Sequence, residues 1–392
     1  MSIIIAGGGI IGITLALAIS HETQGKQLVD LIETSDLDMR FSSDDPGHSI
    51  ALSAETCKKL SALNIWSYLE PIATKITNIH ISDRGLPSSI VLNATDYNVS
   101  SLGYVIELKS ALKRLLIRLK AAPGISLYCP NKISYVERTK DFVHVILDDN
   151  RKLYGTLLVA ADGASSDIAK ICGIKKYYIQ YPQIAIVATI STQLAHNGWA
   201  FERFTTDGPL AMLPIRNGRS ALVWCQSISN AQAMYHTSDQ EFLIQLQKIF
   251  GWRLGYLVNT GERKIYPLKL QIAGQNVSHR LILIGDAAQT LHPVAGQGFN
   301  LGIRDIMSLI DTLKIAWKNE RDEGDSRSLQ YYQKLRKLDV QKTIAITDGL
   351  INIFSNRTTV LVIGRMVGMA IIDHIPQLRN IIAQWTLGRL KN

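Results

Sequence analysis

The 392-residue chain has only four cysteines, Cys57, Cys129, Cys172 and Cys225, far apart and without a CxxC pair. That spacing excludes a disulfide scaffold and a thiolate metal cluster, so no metal site is expected and reduced thiols in a cytoplasmic protein fit best. No run of ~18 uncharged apolar residues occurs. The nearest candidate, residues 350–372, is broken by Arg357 and Arg365, which argues against a spanning helix but leaves a surface-seeking one open. No secretory signal is expected, because the apolar start Ile3-Ile4-Ile5-Ala6 has no basic stretch before it and meets glycines at once. Charged residues are scarce, at 19% against the usual ~25%. That scarcity, with a mean hydropathy of +0.08, excludes a disordered polyelectrolyte, and the 46% hydrophobic content is ordinary for a globular protein. Lysine and arginine outnumber aspartate and glutamate by 42 to 33. The excess is scattered in short pairs such as Lys58-Lys59 and Lys175-Lys176, with no basic arm or zinc spacing, so no nucleic-acid partner is expected. A plainly mixed surface is the bland account of the charge; attraction to anionic lipid or an acidic partner is the sharper one.

What is present reads as a strand–turn–helix–strand unit at the start of the chain. Residues 2–6 form a short buried strand, 10–20 an apolar helix and 28–33 a second strand. Residues 34–48 are polar and read as a loop. Ser53 caps a helix to residue 63, and 107–121 has the apolar spacing of an amphipathic helix. Several strands follow between 125 and 160, the last running into Asp162-Gly163. Residues 177–226 alternate strands and turns and suggest an antiparallel sheet, with a helix over 238–250 and a strand over 264–270. A short buried strand at 281–284 leads into Gly285-Asp286, and everything after Asn300 looks helical. This order predicts a nucleotide domain begun by residues 1–175, interrupted by a β-rich substrate domain at 176–272, and completed with C-terminal helices by 273–392.

Three glycine-and-acid turns carry the chemistry. Gly7-Gly8-Gly9-Ile10-Ile11-Gly12 fits GxGxxG between a strand and a helix. In that pattern Gly7 makes the tight turn, Gly9 admits a pyrophosphate to the backbone, and Gly12 allows close helix–strand packing. The helix start adds amide hydrogens and a positive dipole end. Glu33 ends the next strand, 21 residues after Gly12, where a carboxylate can accept from ribose hydroxyls. The motif alone does not separate FAD from NAD. Asp162-Gly163 follows a second strand, and Gly285-Asp286 a third. Gly296-Gln297-Gly298 opens the long helix from Asn300, whose amides can face the pyrimidine edge of a flavin.

In this order the three motifs resemble the aromatic-hydroxylating flavoprotein monooxygenases of the para-hydroxybenzoate hydroxylase fold. The stretch His292-Pro293-x-Ala295-Gly296-Gln297-Gly298-x-Asn300 resembles their ubiquinone-biosynthesis branch. So do Ala200-Phe201-Glu202-Arg203-Phe204-Thr205, Gly208-Pro209-Leu210-Ala211-Met212-Leu213-Pro214, Leu222-Val223-Trp224-Cys225 and Tyr104-Val105-Ile106-Glu107-Leu108, which are similar to the 2-octaprenyl-6-methoxyphenol hydroxylases. The resemblance implies an α/β protein with a Rossmann-like FAD-binding domain and a β-rich insertion. It extends cofactor contact to Pro293, Gly296, Gly298, Asn300 and Leu301. It also implies NADPH as reductant, dioxygen as co-substrate, and transfer of one oxygen from a flavin carbon-4a hydroperoxide to the ring of a polyprenylated phenol. Two positions depart from the wider family: His48 and Ala169, followed by Lys170, stand where arginines are common.

A phenol reacts more readily as its proton leaves, so a base would help. No residue in the sequence identifies itself as that base; His292, beside Pro293, is the candidate catalytic residue, with a structural hydrogen-bonding role as its plain alternative. Phe201, Phe204, Leu210, Met212, Leu213 and Trp224 are candidates for an apolar channel, against ordinary core packing. Residues 350–387 are candidates for docking to membrane lipid or to other quinone-pathway proteins, against helices packed on the FAD domain. A cytoplasmic location, with peripheral contact at the inner face of the cytoplasmic membrane left open, fits these expectations. The rivals are a sister hydroxylase acting at another ring carbon, a FAD-dependent dehydrogenase or reductase on the same fold, and a non-catalytic flavin-binding scaffold.

Overall fold

The computed structural model describes residues 1–37, 48–84, 89–293, 296–354 and 375–389. Most of the 350–372 stretch, with Arg357 and Arg365, lies outside the described residues, as do 38–47 of the expected polar loop and Val294-Ala295.

The first strand, Ser2–Ala6, is buried along its whole length. It is the centre of a parallel sheet, flanked by Val29–Ile32 and then Ile125–Tyr128 on one side, and by Lys152–Ala160 and then Leu281–Leu283 on the other. Strands covered on both faces read as continuous apolar runs rather than alternations, which is why residues 3–5 and 281–284 look as they do. The helix Ile10–Thr23 is apolar nearly all round for the same reason: it packs between this sheet and the helices Leu108–Lys120 and Gln297–Lys318. An antiparallel hairpin, Ile133–Arg138 with Val143–Leu147, extends the sheet through Lys152–Ala160. Ser53 caps Ala54–Ala62 as expected, its hydroxyl accepting from Thr56 N at 3.2 Å.

The second sheet is larger and mostly antiparallel, with nine strands among the described residues. Its centre is Lys176–Thr192, Ser220–Ser227, Gly208–Pro214 and Trp199–Thr205. Two of its strands, Asn78–Asp83 and Ser89–Asn93, come from before residue 175, and Gln289–Thr290 comes from after 272. Sheet membership therefore crosses the boundaries read from chain order. The physical reason is that Trp199–Thr205 would otherwise be an open edge; Asn78–Asp83 pairs with it in parallel across a long connection. The helix Ile228–His236 was not expected; it and Asp239–Phe250 cover one face of this sheet, packing Phe242, Leu246 and Phe250 onto Leu210, Met212 and Trp224. The opposite face turns toward the nucleotide sheet.

Candidate active site

Between the sheets lies a cavity of about 1310 Å³ whose lining includes residues from all three glycine-and-acid turns. That exceeds the ~300–1,000 Å³ of an ordinary small-molecule pocket.

The first turn is fixed by backbone approach. Gly7 has φ +109°, and a Cβ there would lie 2.4 Å from Ala161 O; a Cβ on Gly12 would lie 1.9 Å from Gly7 O. Glu33 is buried and ties this turn to the second strand: its Oε2 accepts from Gly8 N at 2.6 Å and its Oε1 from Ser35 N at 2.9 Å. Gly9 is different. Nothing lies within 4 Å of a Cβ built on it, and it lines the cavity at the start of the helix Ile10–Thr23.

In the second turn, Asp162 Oδ2 accepts from Ile168 N at 3.0 Å, while Oδ1 is buried with no hydrogen-bond partner among the described residues. A buried unsatisfied oxygen calls for a donor. Gly163 beside it lines the cavity with open space where a Cβ would be. Lys176 donates to Ala164 O at 2.9 Å, as does Gln271 Nε2 at 2.5 Å. Lys176 also lies in the electrostatic reach of both Asp162 and Asp286, which oppose the lowering of its pKa by burial.

In the third turn, Gly285 and Asp286 line the cavity. The Asp286 carboxylate opens onto the cavity space yet is ringed by protein, and that partial desolvation raises its pKa while Lys176 pulls it down. The turn is held from behind by Asp305, which is buried. Asp305 Oδ2 accepts from Gly285 N at 2.9 Å and from Gln289 Nε2 at 2.8 Å, and Oδ1 pairs with Arg336 Nε at 2.7 Å. Arg336 also bonds Asp339, which pairs with Arg304 at 3.1 Å. Sequence reading missed Asp305, Arg336 and Lys176. The available signal was a charged residue on the apolar face of the helix after Asn300, since Asp305 falls among Leu301, Ile306 and Leu309.

Gly296, at φ +60°, caps Gln297–Lys318 without a side-chain cap bond, so the first amides of that helix stay available at the cavity. Gly298 again has no atom within 4 Å of a built Cβ. Asn300 is buried and lines the cavity, and its side chain is held in place: Oδ1 accepts from Ser53 N at 2.9 Å, and Nδ2 donates to Ala51 O at 3.0 Å and Gly296 O at 2.8 Å. Pro293 lines the cavity; Leu301 does not, packing instead with Leu270 and Leu291.

His292 is also absent from the lining, in contrast to the expectation that it acts on substrate. Its ring is buried, donates from Nε2 to Gln183 Oε1 at 3.1 Å, and meets Tyr181 edge-on at 5.3 Å between centroids. Burial lowers its pKa to about 4, so it is neutral near pH 7. His48 does line the cavity and stacks edge-on against Tyr266.

Of the six apolar channel candidates, Phe204 and Leu213 line the cavity; Phe201 touches it too, but its ring meets Phe250 edge-on at 5.3 Å on the other face of the sheet. Leu210, Met212 and Trp224 face the helices on the other side of the sheet, because strand alternation turns them away. Ile79, Ile81, Ala211 and Val223 complete that wall, and the C-terminal helix Pro376–Thr386 adds Ile381, Ile382, Trp385 and Thr386. The last part of the candidate docking stretch is thus a wall of the cavity. All four cysteines are free, and among the described residues there is no cluster able to hold a metal and no helix long and apolar enough to cross a membrane.

The three open glycines, the orphaned Asp162 oxygen and the uncapped helix start form a cradle that fits a dinucleotide with a ring system at its far end. Comparisons with known proteins agree. A family model described as FAD binding domain matches residues 1–347. Ubiquinone hydroxylase UbiL of Rhodospirillum rubrum is 32% identical over 389 residues, covering 99% of this chain and 90% of that protein. The 3-demethoxyubiquinol 3-hydroxylase of Escherichia coli is 28% identical, covering 98% of each chain. The solved structure of PqsL from P. aeruginosa with 2-aminobenzoylacetate shares the fold, with TM-score 0.79 and 20% identity, over 94% of this chain and 99% of that one. This chain belongs to the FAD-binding domain family, as a FAD-dependent aromatic-ring monooxygenase of the para-hydroxybenzoate hydroxylase fold.

Proposed function

We propose that this enzyme hydroxylates the ring of a polyprenylated phenol in ubiquinone biosynthesis, with NADPH as reductant and dioxygen as oxygen source. The observation that carries the reading is a cavity of about 1310 Å³ in which the FAD cradle is continuous with an otherwise apolar wall, in a relative of ubiquinone hydroxylases. FAD supplies the redox and oxygen-activating chemistry. The Gly7–Gly12 turn and the start of Ile10–Thr23 would hold its pyrophosphate, Asp286 its ribityl hydroxyls, and the Gly296–Gly298 helix start the pyrimidine edge of its ring. Ile79, Ile81, Phe204 and Leu213 would receive the aromatic ring and the start of a prenyl tail, where each buried CH₂ is worth ~0.8 kcal/mol. The same residues keep water from the reacting ring.

A 2-octaprenyl-6-methoxyphenol-like substrate hydroxylated at ring carbon 1 is the preferred assignment. The E. coli relative, named for hydroxylation at carbon 3, favours a second one. Peripheral contact with the membrane that stores such a substrate belongs to the same reading, supported by exposed Trp252, Tyr256 and Val258. Anaerobic reduction by NADPH followed by oxygen, with and without a prenylated phenol, tests the reaction, and product analysis in a quinone-deficient strain tests the ring position. Oxygen-independent turnover, or tight FAD without phenol-stimulated NADPH oxidation, would overturn it.

A further inference from the structure

The apolar wall of the cavity carries one acidic side chain. Ala200, Glu202 and Phe204, alternate residues of the strand Trp199–Thr205, all line the cavity. Across the sheet Glu202 is paired with Ile81 on one side and Ala211 on the other, with Val223 one strand further, and these three also line the cavity. No hydrogen bond or ion pair among the described residues reaches the Glu202 carboxylate, and burial alone raises its pKa, to about 8. An unpartnered carboxylate in apolar surroundings is costly to keep. A ligand group that shares a proton with it would remove that cost.

The titratable groups around it are few. Cys225, on the next strand but one, is near enough for Glu202 to help raise its thiol pKa. Asp83 lies two residues beyond Ile81, Asp286 and His48 stand among the cavity residues, and Arg203 and His80 occupy strand positions of opposite parity.

Resting on the phenol-hydroxylase reading above, we propose that Glu202 is the catalytic residue that receives the substrate's phenolic proton. One carboxylate oxygen accepts the O–H hydrogen bond and then takes the proton, leaving a carboxylic acid on the protein and a phenolate in the cavity. The O–H bonding pair stays on the phenolic oxygen and enriches the ring where oxygen is to be added. A general base works best with a pKa near the operating pH. A phenol near ~10 is about two units from this carboxyl, whereas an ordinary glutamate at ~4.3 is about six away.

The test uses FAD-loaded wild type, Glu202→Gln and Glu202→Asp, with two prenylated phenols. One has ordinary acidity; the other carries a nitro group and is already ionised at the assay pH. Glu202→Gln is expected to lower hydroxylated product on the ordinary phenol by a factor on the order of 10² or more. On the pre-ionised phenol the loss should stay within about tenfold. Glu202→Asp should show the same selectivity with a smaller loss, and serves if Glu202→Gln loads FAD poorly. Wild-type kcat/KM on the ordinary phenol should rise with pH along a limb near 8 that Glu202→Gln removes. Equal losses on both phenols, or an unchanged pH profile, would overturn the role of Glu202 while leaving the phenol reading intact. A wild type that hydroxylates neither phenol would overturn the phenol reading itself.

Discussion

On the nucleotide side of the cavity the chain works with its backbone: Gly7, Gly12 and Gly163 bring main chain to within contact of main chain or of open cradle space. On the facing side it works with side chains, an apolar sheet wall of Ile79, Ile81, Ala211 and Val223 interrupted by Glu202. At Gly7 and Gly12 the first kind of construction tolerates almost no change of residue, since an added Cβ meets peptide atoms that cannot move aside. The second tolerates exchange among apolar residues of similar volume. One fold can thus keep its cofactor while its substrate wall varies.

The sharpest way to break that contrast is Gly12→Ala. Its Cβ would sit 1.9 Å from Gly7 O, and the expected cost is on the order of 4 kcal/mol or more, with loss of bound flavin. Gly9→Ala, in open space, should leave the melting temperature nearly unchanged and lower only FAD affinity. Thermal melts and flavin absorbance of both variants check the pair; equal destabilisation would mean the two glycines do the same job.

Next in size is Asp305→Ala. It leaves Arg336, 3% exposed at its side chain, with Asp339 as its remaining carboxylate partner and frees Gly285 N. Breaking a buried pair outright costs about 3–5 kcal/mol; with the Asp339 contact kept, the expected loss is about 3 kcal/mol, to be read by denaturant unfolding. Replacing both partners, as in Asp305→Leu with Arg336→Met, should recover much of the stability but not FAD affinity, because the Gly285 turn stays unfastened.

These two predictions mark what a reader of the sequence can and cannot see. The glycine turns and Ser2–Ala6 were legible because their patterns are local: a buried parallel strand is an unbroken apolar run, and a phosphate turn needs glycine at fixed spacing. The Asp305–Arg336 pair was not, because its partners are 31 residues apart and meet only when two helices pack. Nor was the split of Leu210, Met212 and Trp224 from Phe204 and Leu213. All five are apolar, and only the presence of Ile228–His236 and Asp239–Phe250 on one face decides which way each points. His292 was found by its position in a motif, but the motif does not say whether the ring looks into the cavity or into the protein.

The buried neutrality of His292 gives a pH effect of intermediate size. Its pKa is depressed to about 4 in the folded protein, against ~6.5 unfolded. The unfolded chain therefore binds more protons between those values, and stability is fully present above ~6.5 and falls as pH drops toward 4. The loss is at most about 3 kcal/mol. In His292→Asn this acid-side slope should flatten, as read by urea unfolding at pH 7 and pH 4.5; an unchanged slope would assign the acid sensitivity elsewhere.

The mildest prediction sets one residue from each wall side by side. Asp286 opens onto the cavity, and among the described residues no hydrogen bond of its carboxylate holds the fold together. Asp286→Ala should therefore cost little stability. A hydrogen bond to a charged group is worth about 1.5–3 kcal/mol, so FAD affinity should fall about 10- to 100-fold, measured by flavin fluorescence during dialysis. Ala211→Phe places bulk in the opposite wall next to Glu202. It should leave FAD affinity unchanged and instead weaken binding of a tailed phenol more than that of its untailed parent. If Ala211→Phe released flavin as readily as Asp286→Ala, the two walls would not be separable, and the division of labour between backbone cradle and side-chain wall would fail.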